Sequence, residues 1–243
     1  MFWRETKGLA GIPLASKLAI TAVLLVAGIG YLLGFTNIFL SYSPVDQKPG
    51  LSLQDISLSF YGARGSTKLE KAIDGSMKQY FASDADHQAV KGWIGKGAVE
   101  GDFQQVKPIL ESSCGSCHSA EAAVAGVITV DYADLKPLLA QDTGKSWSRL
   151  VALSHTHVPA TLSVVFILVL IFSFTRYPQV LKGIVMVGSV LAILVDVGVW
   201  WLAKLSAGLA ILVILGGICL ALSFLVLIVL SLVDMWFGKR EAS

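Results

Sequence analysis

Cys114-Gly115-Ser116-Cys117-His118 is the part of this sequence whose residue types and spacing point most directly to chemistry. Two cysteines three apart, followed at once by a histidine, form the C-x-x-C-H pattern that attaches a c-type haem. On one helical turn both thiols reach the vinyl groups along one porphyrin edge, and the next side chain, His118, meets the iron from one face. A thioredoxin-type C-x-x-C wants a βαβ setting, and a zinc site wants a second ligand pair; neither is legible here. Cys219 stands among Ile218 and Leu220 and reads as a small apolar residue, so one motif implies one covalently bound haem c.

A haem iron accepts a second axial ligand, and no Met or His occurs between Ser119 and Leu150. The candidates are His155 or His157 downstream, followed by Met77 and then His87 upstream, with an open or water-bound iron as the alternative. In a helix, positions two apart point about 200° around the axis, so one iron cannot take both His155 and His157. The other histidine is left for a lipid headgroup, a partner or a quinone. Met ligation raises a haem potential, whereas a second His would hold it lower.

The elements that must position these groups begin with a helix. Phe103, Val106, Ile109 and Leu110 form an apolar stripe that leads into Cys114. Leu69–Phe81, His87–Ile94, Tyr132–Leu139 and Ser146–Leu153 read as further helices, and no segment alternates long enough for a sheet. The stretch Val106-Lys107-Pro108-Ile109-Leu110-Glu111-Ser112-Ser113 and the motif after it resemble the haem-binding helix of the cytochrome c superfamily. That resemblance implies a haem carried by Cys114, Cys117 and His118 and one-electron transfer. It departs from the family pattern in lacking a Met after the motif within the soluble region.

Charge is distributed unevenly along the 243 residues: 24 of the 36 charged side chains lie between residues 42 and 150. The whole chain is 54% hydrophobic and 15% charged, too apolar for an entirely soluble protein. Uncharged runs at Leu18–Leu40, Val151–Thr175 and Leu205–Val233, with Gly183–Ala203 broken only by Asp196, predict four membrane spans. The expected fold is all-α: an interfacial segment and anchor helix over 1–41, a mostly helical cytochrome c-like domain over 42–150, and a three-helix transmembrane domain over 151–243. Met1–Lys17 reads as interfacial or as a frayed tail.

Arg4, Lys7, Lys17, Arg176, Lys182, Lys239 and Arg240 fall on one side of such an array, and Lys204 belongs to the short loop opposite. Cytoplasmic flanks collect Lys and Arg, so both termini are expected in the cytoplasm and the haem domain in the periplasm of a bacterial inner membrane. Asp196 lies about 12 Å below the outer loop and is expected to be a proton or quinone site, to pair with one of the histidines, or else to be a structural hydrogen-bonding group. Trp3, Trp200, Trp201 and Trp236 read as interfacial anchors, the glycines at 183, 188, 198, 216 and 217 as close-packing positions, and Asp234 as solvated.

The function these features imply is single-electron transfer between a membrane donor, a quinol or a partner redox subunit, and a periplasmic or membrane acceptor of a respiratory chain. A haem-carrying subunit of a larger membrane oxidoreductase is the alternative, and a haem-based sensor or assembly factor a further one. No paired transmembrane histidines, iron–sulfur cysteine set or nucleotide motif provides a substrate site, so catalysis would need a partner chain. Other membrane redox subunits, the lipid bilayer and a periplasmic electron carrier are the expected partners. The absence of a basic cluster argues against nucleic acid.

Overall fold

The computed structural model describes residues 8–43, 45–46, 48–122 and 128–238; its regular elements are all helices, with no strand among the described residues. Nine α-helices are described: α1 Leu14–Tyr42, α2 Leu53–Phe60, α3 Lys68–Asp74, α4 Asp84–Gly95, α5 Phe103–Cys114, α6 Tyr132–Leu135, α7 Trp147–Ser173, α8 Gln179–Leu205 and α9 Ala210–Phe237. They fall into two compact units, one of Met1–Tyr42 with Lys145–Ser243 and one of Ser43–Gly144.

The first unit is a multi-pass membrane array of α1, α7, α8 and α9. Each helix has 27 to 29 residues, about 40 Å at the helical rise, which exceeds a hydrocarbon core of about 30 Å. All four are long and apolar enough to cross a membrane. Leu24, Val165, Leu168, Phe172, Ile193, Leu220 and Leu227 form the shared core, and α9 packs against α1, α7 and α8. The expected short helix Ser146–Leu153 is not separate: Ser146 caps Arg149 N, and the helix runs without a break into the span. Pro159 inside α7 does not end it, because the flanking apolar turns remain packed.

Several polar residues depart from expectation. Asp234 is buried rather than solvated; its carboxylate accepts from Leu9 N at 2.8 Å, from Arg176 Nε at 3.2 Å and from Arg176 N at 3.3 Å. Lys17 is buried as well and donates to the Met235 carbonyl at 2.7 Å, so the start of α1 is tied to the end of α9 rather than frayed. Cys219 is exposed on α9, and sequence alone could not tell a lipid-facing position from a packed one. Of the five glycines expected to allow close packing, Gly216 alone makes a tight approach; Gly217 makes an ordinary contact with Asp196, and an added Cβ at Gly183, Gly188 or Gly198 would meet open space. Trp3, Arg4, Lys7, Lys239 and Arg240 lie outside the described residues.

The second unit holds α2 to α6. Ser52 with Asp55 and Thr67 with Glu70 make reciprocal capping boxes that start α2 and α3. The helix expected over Leu69–Phe81 stops at Asp74, where Gly75 interrupts it, and resumes as a 3₁₀ turn at Lys78–Tyr80. Tyr132–Leu139 likewise divides into α6 and a 3₁₀ turn, with Pro137 at the start of the turn. α2 was not legible beforehand. Gly62 and Gly144 cross with both φ values positive, and a Cβ at either would collide with the backbone of the other strand of chain. That crossing closes the unit next to its two chain exits.

Candidate functional site

The motif sits at the end of α5, held by an aromatic cluster. Trp93 of α4, Phe103 of α5 and Tyr132 of α6 have ring centroids 5.5 to 6.4 Å apart, and the Tyr132 hydroxyl donates to the Ala98 carbonyl at 3.2 Å. The expected stripe is the buried face of α5: Phe103, Val106 and Leu110 enter the core, and Ile109 packs at its edge. One more turn follows the helix, with Cys117 N and His118 N both donating to the Cys114 carbonyl, at 3.1 and 2.9 Å. This turn carries the two thiols and the imidazole on one short arc.

Both thiols are free, Cys117 exposed and Cys114 half-buried. Burial, with the thiol of Cys117 beside it, pushes the Cys114 thiol above its ordinary value. Among the described residues no three His, Cys, Asp or Glu side chains gather to hold a bare metal ion.

His118 has the orientation an iron ligand needs. Its Nδ1 lies 2.7 Å from the Ile128 carbonyl, and Val130 N donates to the His118 carbonyl at 3.2 Å. A carbonyl can only accept, so Nδ1 carries the proton and the lone pair falls on Nε2. Ser113, immediately before Cys114, has its hydroxyl buried without a hydrogen-bond partner among the described residues. Free thiols at the correct spacing, an oriented imidazole and this orphaned hydroxyl fit a haem c.

Of the candidate sixth ligands, Met77 and His87 share the unit of the motif, while His155 and His157 belong to the membrane unit. Met77 is half-buried at the start of the Lys78–Tyr80 turn. His87 is buried with Nε2 3.0 Å from Asp74 Oδ1, and Phe81 lies edge-on to its ring. Residues Gly75, Phe81, Ser83 and His87 line a cleft of about 770 Å³ in this region. His155 is exposed on α7.

His157 is half-buried and engaged. Its Nε2 is 3.5 Å from Asp196 Oδ2 on α8, and its ring lies 5.0 Å from that of Trp200. The expected pairing of Asp196 with a histidine is therefore present, and the packing of α7 against α8 selects His157, 39 positions earlier, as the partner. Trp201 is likewise more than an interfacial anchor, since its Nε1 donates to Ser154 Oγ at 3.1 Å and its ring meets Trp147 at 5.8 Å.

Searches of curated proteins and of solved structures return no match to the chain. No cytochrome c family matches either. One family does, described as a transmembrane helical domain, and it aligns with residues 142–242, so that α7, α8 and α9 are similar to that domain.

Proposed function

We propose that this chain is a membrane-anchored monohaem c-type cytochrome that passes single electrons between a membrane donor and an acceptor on the outer face of a bacterial inner membrane. The observation that carries this reading is the oriented His118, whose Nδ1 is committed to Ile128 beside the free thiols of Cys114 and Cys117. When bound, a haem c supplies an iron centre that changes charge by one electron without gaining or losing substrate atoms. Cys114 and Cys117 would hold it through thioether bonds, and His118 Nε2 would be its proximal ligand.

Met77 is the distal ligand this reading favours. His87 already faces Asp74, and His157 faces Asp196, which leaves Met77 as the candidate in the same unit as His118 without a carboxylate partner. The buried face of α5 and the Trp93, Phe103 and Tyr132 cluster would keep the motif rigid, which limits reorganisation when an electron arrives. The membrane unit supports the proposed topology through its charges. Lys17, Arg176 and Lys182 lie at the end of the array where α1 begins and α7 turns into α8, and Lys204 lies at the other.

The test is expression of the full chain in a host able to mature c-type haem, followed by denaturing electrophoresis with haem staining and intact mass. One haem per chain is expected, with loss of the stain in Cys114→Ser with Cys117→Ser. A chain that matures without covalent haem in that host overturns the reading.

A further inference from the structure

Two ionisable side chains face each other across adjacent membrane helices, and the haem reading uses neither. His157 lies six residues into the uncharged stretch that begins at Val151, about 9 Å along the helix, and Asp196 eight residues from Lys204, about 12 Å. Groups of this kind at depth are costly unless a function repays them. The carboxylate is enclosed, with its side chain 8% exposed, while the imidazole is 41% exposed. The pair therefore has a closed back and an open front.

The back is closed by α9. A Cβ at Gly216 would stand 3.1 Å from Asp196 Cα and 3.0 Å from Val199 Cγ2, so glycine lets the helices approach here without either neighbour having to shift. Tyr31 of α1 ties into the same wall by donating to the Gly217 carbonyl at 3.2 Å. At the front, Trp200 sits one turn beyond Asp196 with its ring beside the imidazole. Pro159, two residues after His157, has no N–H for the His155 carbonyl, which adds an acceptor to this stretch of α7.

A ligand suited to this geometry reaches the imidazole sideways from the hydrocarbon, carries an oxygen that hydrogen-bonds to it, and presents a flat ring to Trp200. The headgroup of a lipid-soluble quinone or quinol has all three properties. A phospholipid headgroup lacks the ring and resides at the surface. We propose that His157, Asp196 and Trp200 form a binding site for the headgroup of a membrane quinone or quinol. This rests on the cytochrome reading for its purpose, since it names the membrane donor, but its chemistry stands on the membrane unit alone.

The experiment uses the full chain in lipid nanodiscs and a short-chain benzoquinone and naphthoquinone as probes, read by quenching of tryptophan fluorescence, with haem content measured on the same preparations. Saturable quenching is expected, with the apparent Kd raised at least about tenfold in His157→Gln and in Asp196→Asn, each near its parent in shape. Trp200→Leu should remove much of the quenching amplitude, and circular dichroism with detergent elution volume should confirm that each variant is folded. Quenching that rises linearly with probe, as for simple partitioning, or equal Kd values in folded variants, overturns the site. Saturable, variant-sensitive binding by a chain without haem would keep the site and remove the cytochrome reading; the reverse result would do the opposite.

Discussion

The imidazole Nδ1 of His118 and the carbonyl oxygen of Ile128, ten positions apart in the sequence, are 2.7 Å from each other. This contact fixes both the tautomer and the rotation of the ring, so Nε2 is available before any iron arrives. Replacing His118 by Ala should leave the two thiols free to react but remove the proximal ligand. Haem per chain is expected to fall well below one, and the haem that remains should bind added imidazole, seen as a shift of its visible spectrum. An unchanged spectrum in His118→Ala would assign the proximal position to another residue.

The distal ligand divides the remaining candidates by spectroscopy. A thioether bound to ferric haem gives a weak near-infrared charge-transfer band that bis-histidine haem lacks. With Met77 as ligand, the oxidised protein shows this band, and Met77→His abolishes it and lowers the midpoint potential, because Met/His ligation holds potential high. With His155 or His157 as ligand, Met77→His changes neither quantity.

The four spans were legible because a membrane imposes long uncharged runs, and the structure shifts the ends of each by only a few residues, as from Leu18–Leu40 to Leu14–Tyr42 and from Leu205–Val233 to Ala210–Phe237. The stripe leading to Cys114 was legible for a similar reason, since helical burial repeats in sequence. Pairings between distant positions left no such trace. Nothing local marks Asp234 as the acceptor for Leu9, and although an intramembrane carboxylate such as Asp196 could be expected to pair with a histidine, only the helix packing selects His157. α2 was missed because eight residues are too few for its apolar positions, Leu53, Ile56, Leu58 and Phe60, to show a helical period, and its start depends on the Ser52 and Asp55 capping box.

Asp142 should control the acid stability of the soluble unit. Burial alone would raise its carboxyl, but hydrogen bonds from Ala63 N at 3.0 Å and Gly144 N at 2.9 Å, with Lys71 Nζ at 3.2 Å, outweigh it and hold the group below its ordinary value. A folded-state value below the unfolded one, about 3.9, gives stability that is full above that pH and is lost as pH falls through the folded value. The wild-type chain should therefore lose stability below about pH 4, and Asp142→Asn should lose less over that range, after starting lower near pH 7 by about 1–3 kcal/mol. Hydrogen exchange at Ala63 and Gly144 as a function of pH would follow the effect locally. Equal acid sensitivity in the two proteins would show that other carboxylates dominate.

Asp234 should have the corresponding role in the membrane unit, as the anion shared by Leu9 N and Arg176. Asp234→Ala leaves a buried amide without its acceptor and a guanidinium without its counter-charge, a loss of roughly 3–5 kcal/mol by analogy with other broken buried pairs. Asp234→Asn keeps one acceptor oxygen and removes only the charge, so its cost should be smaller. The order expected in thermal unfolding of the full chain in mild detergent is wild type, then Asp234→Asn, then Asp234→Ala. Protease sensitivity near Leu9 should rise in the same order, because the carboxylate is what ties that turn to α9. If Asp234→Ala melts with the wild type, the buried packing of Leu24, Phe172 and Leu227 between the helices holds the array together without this tie.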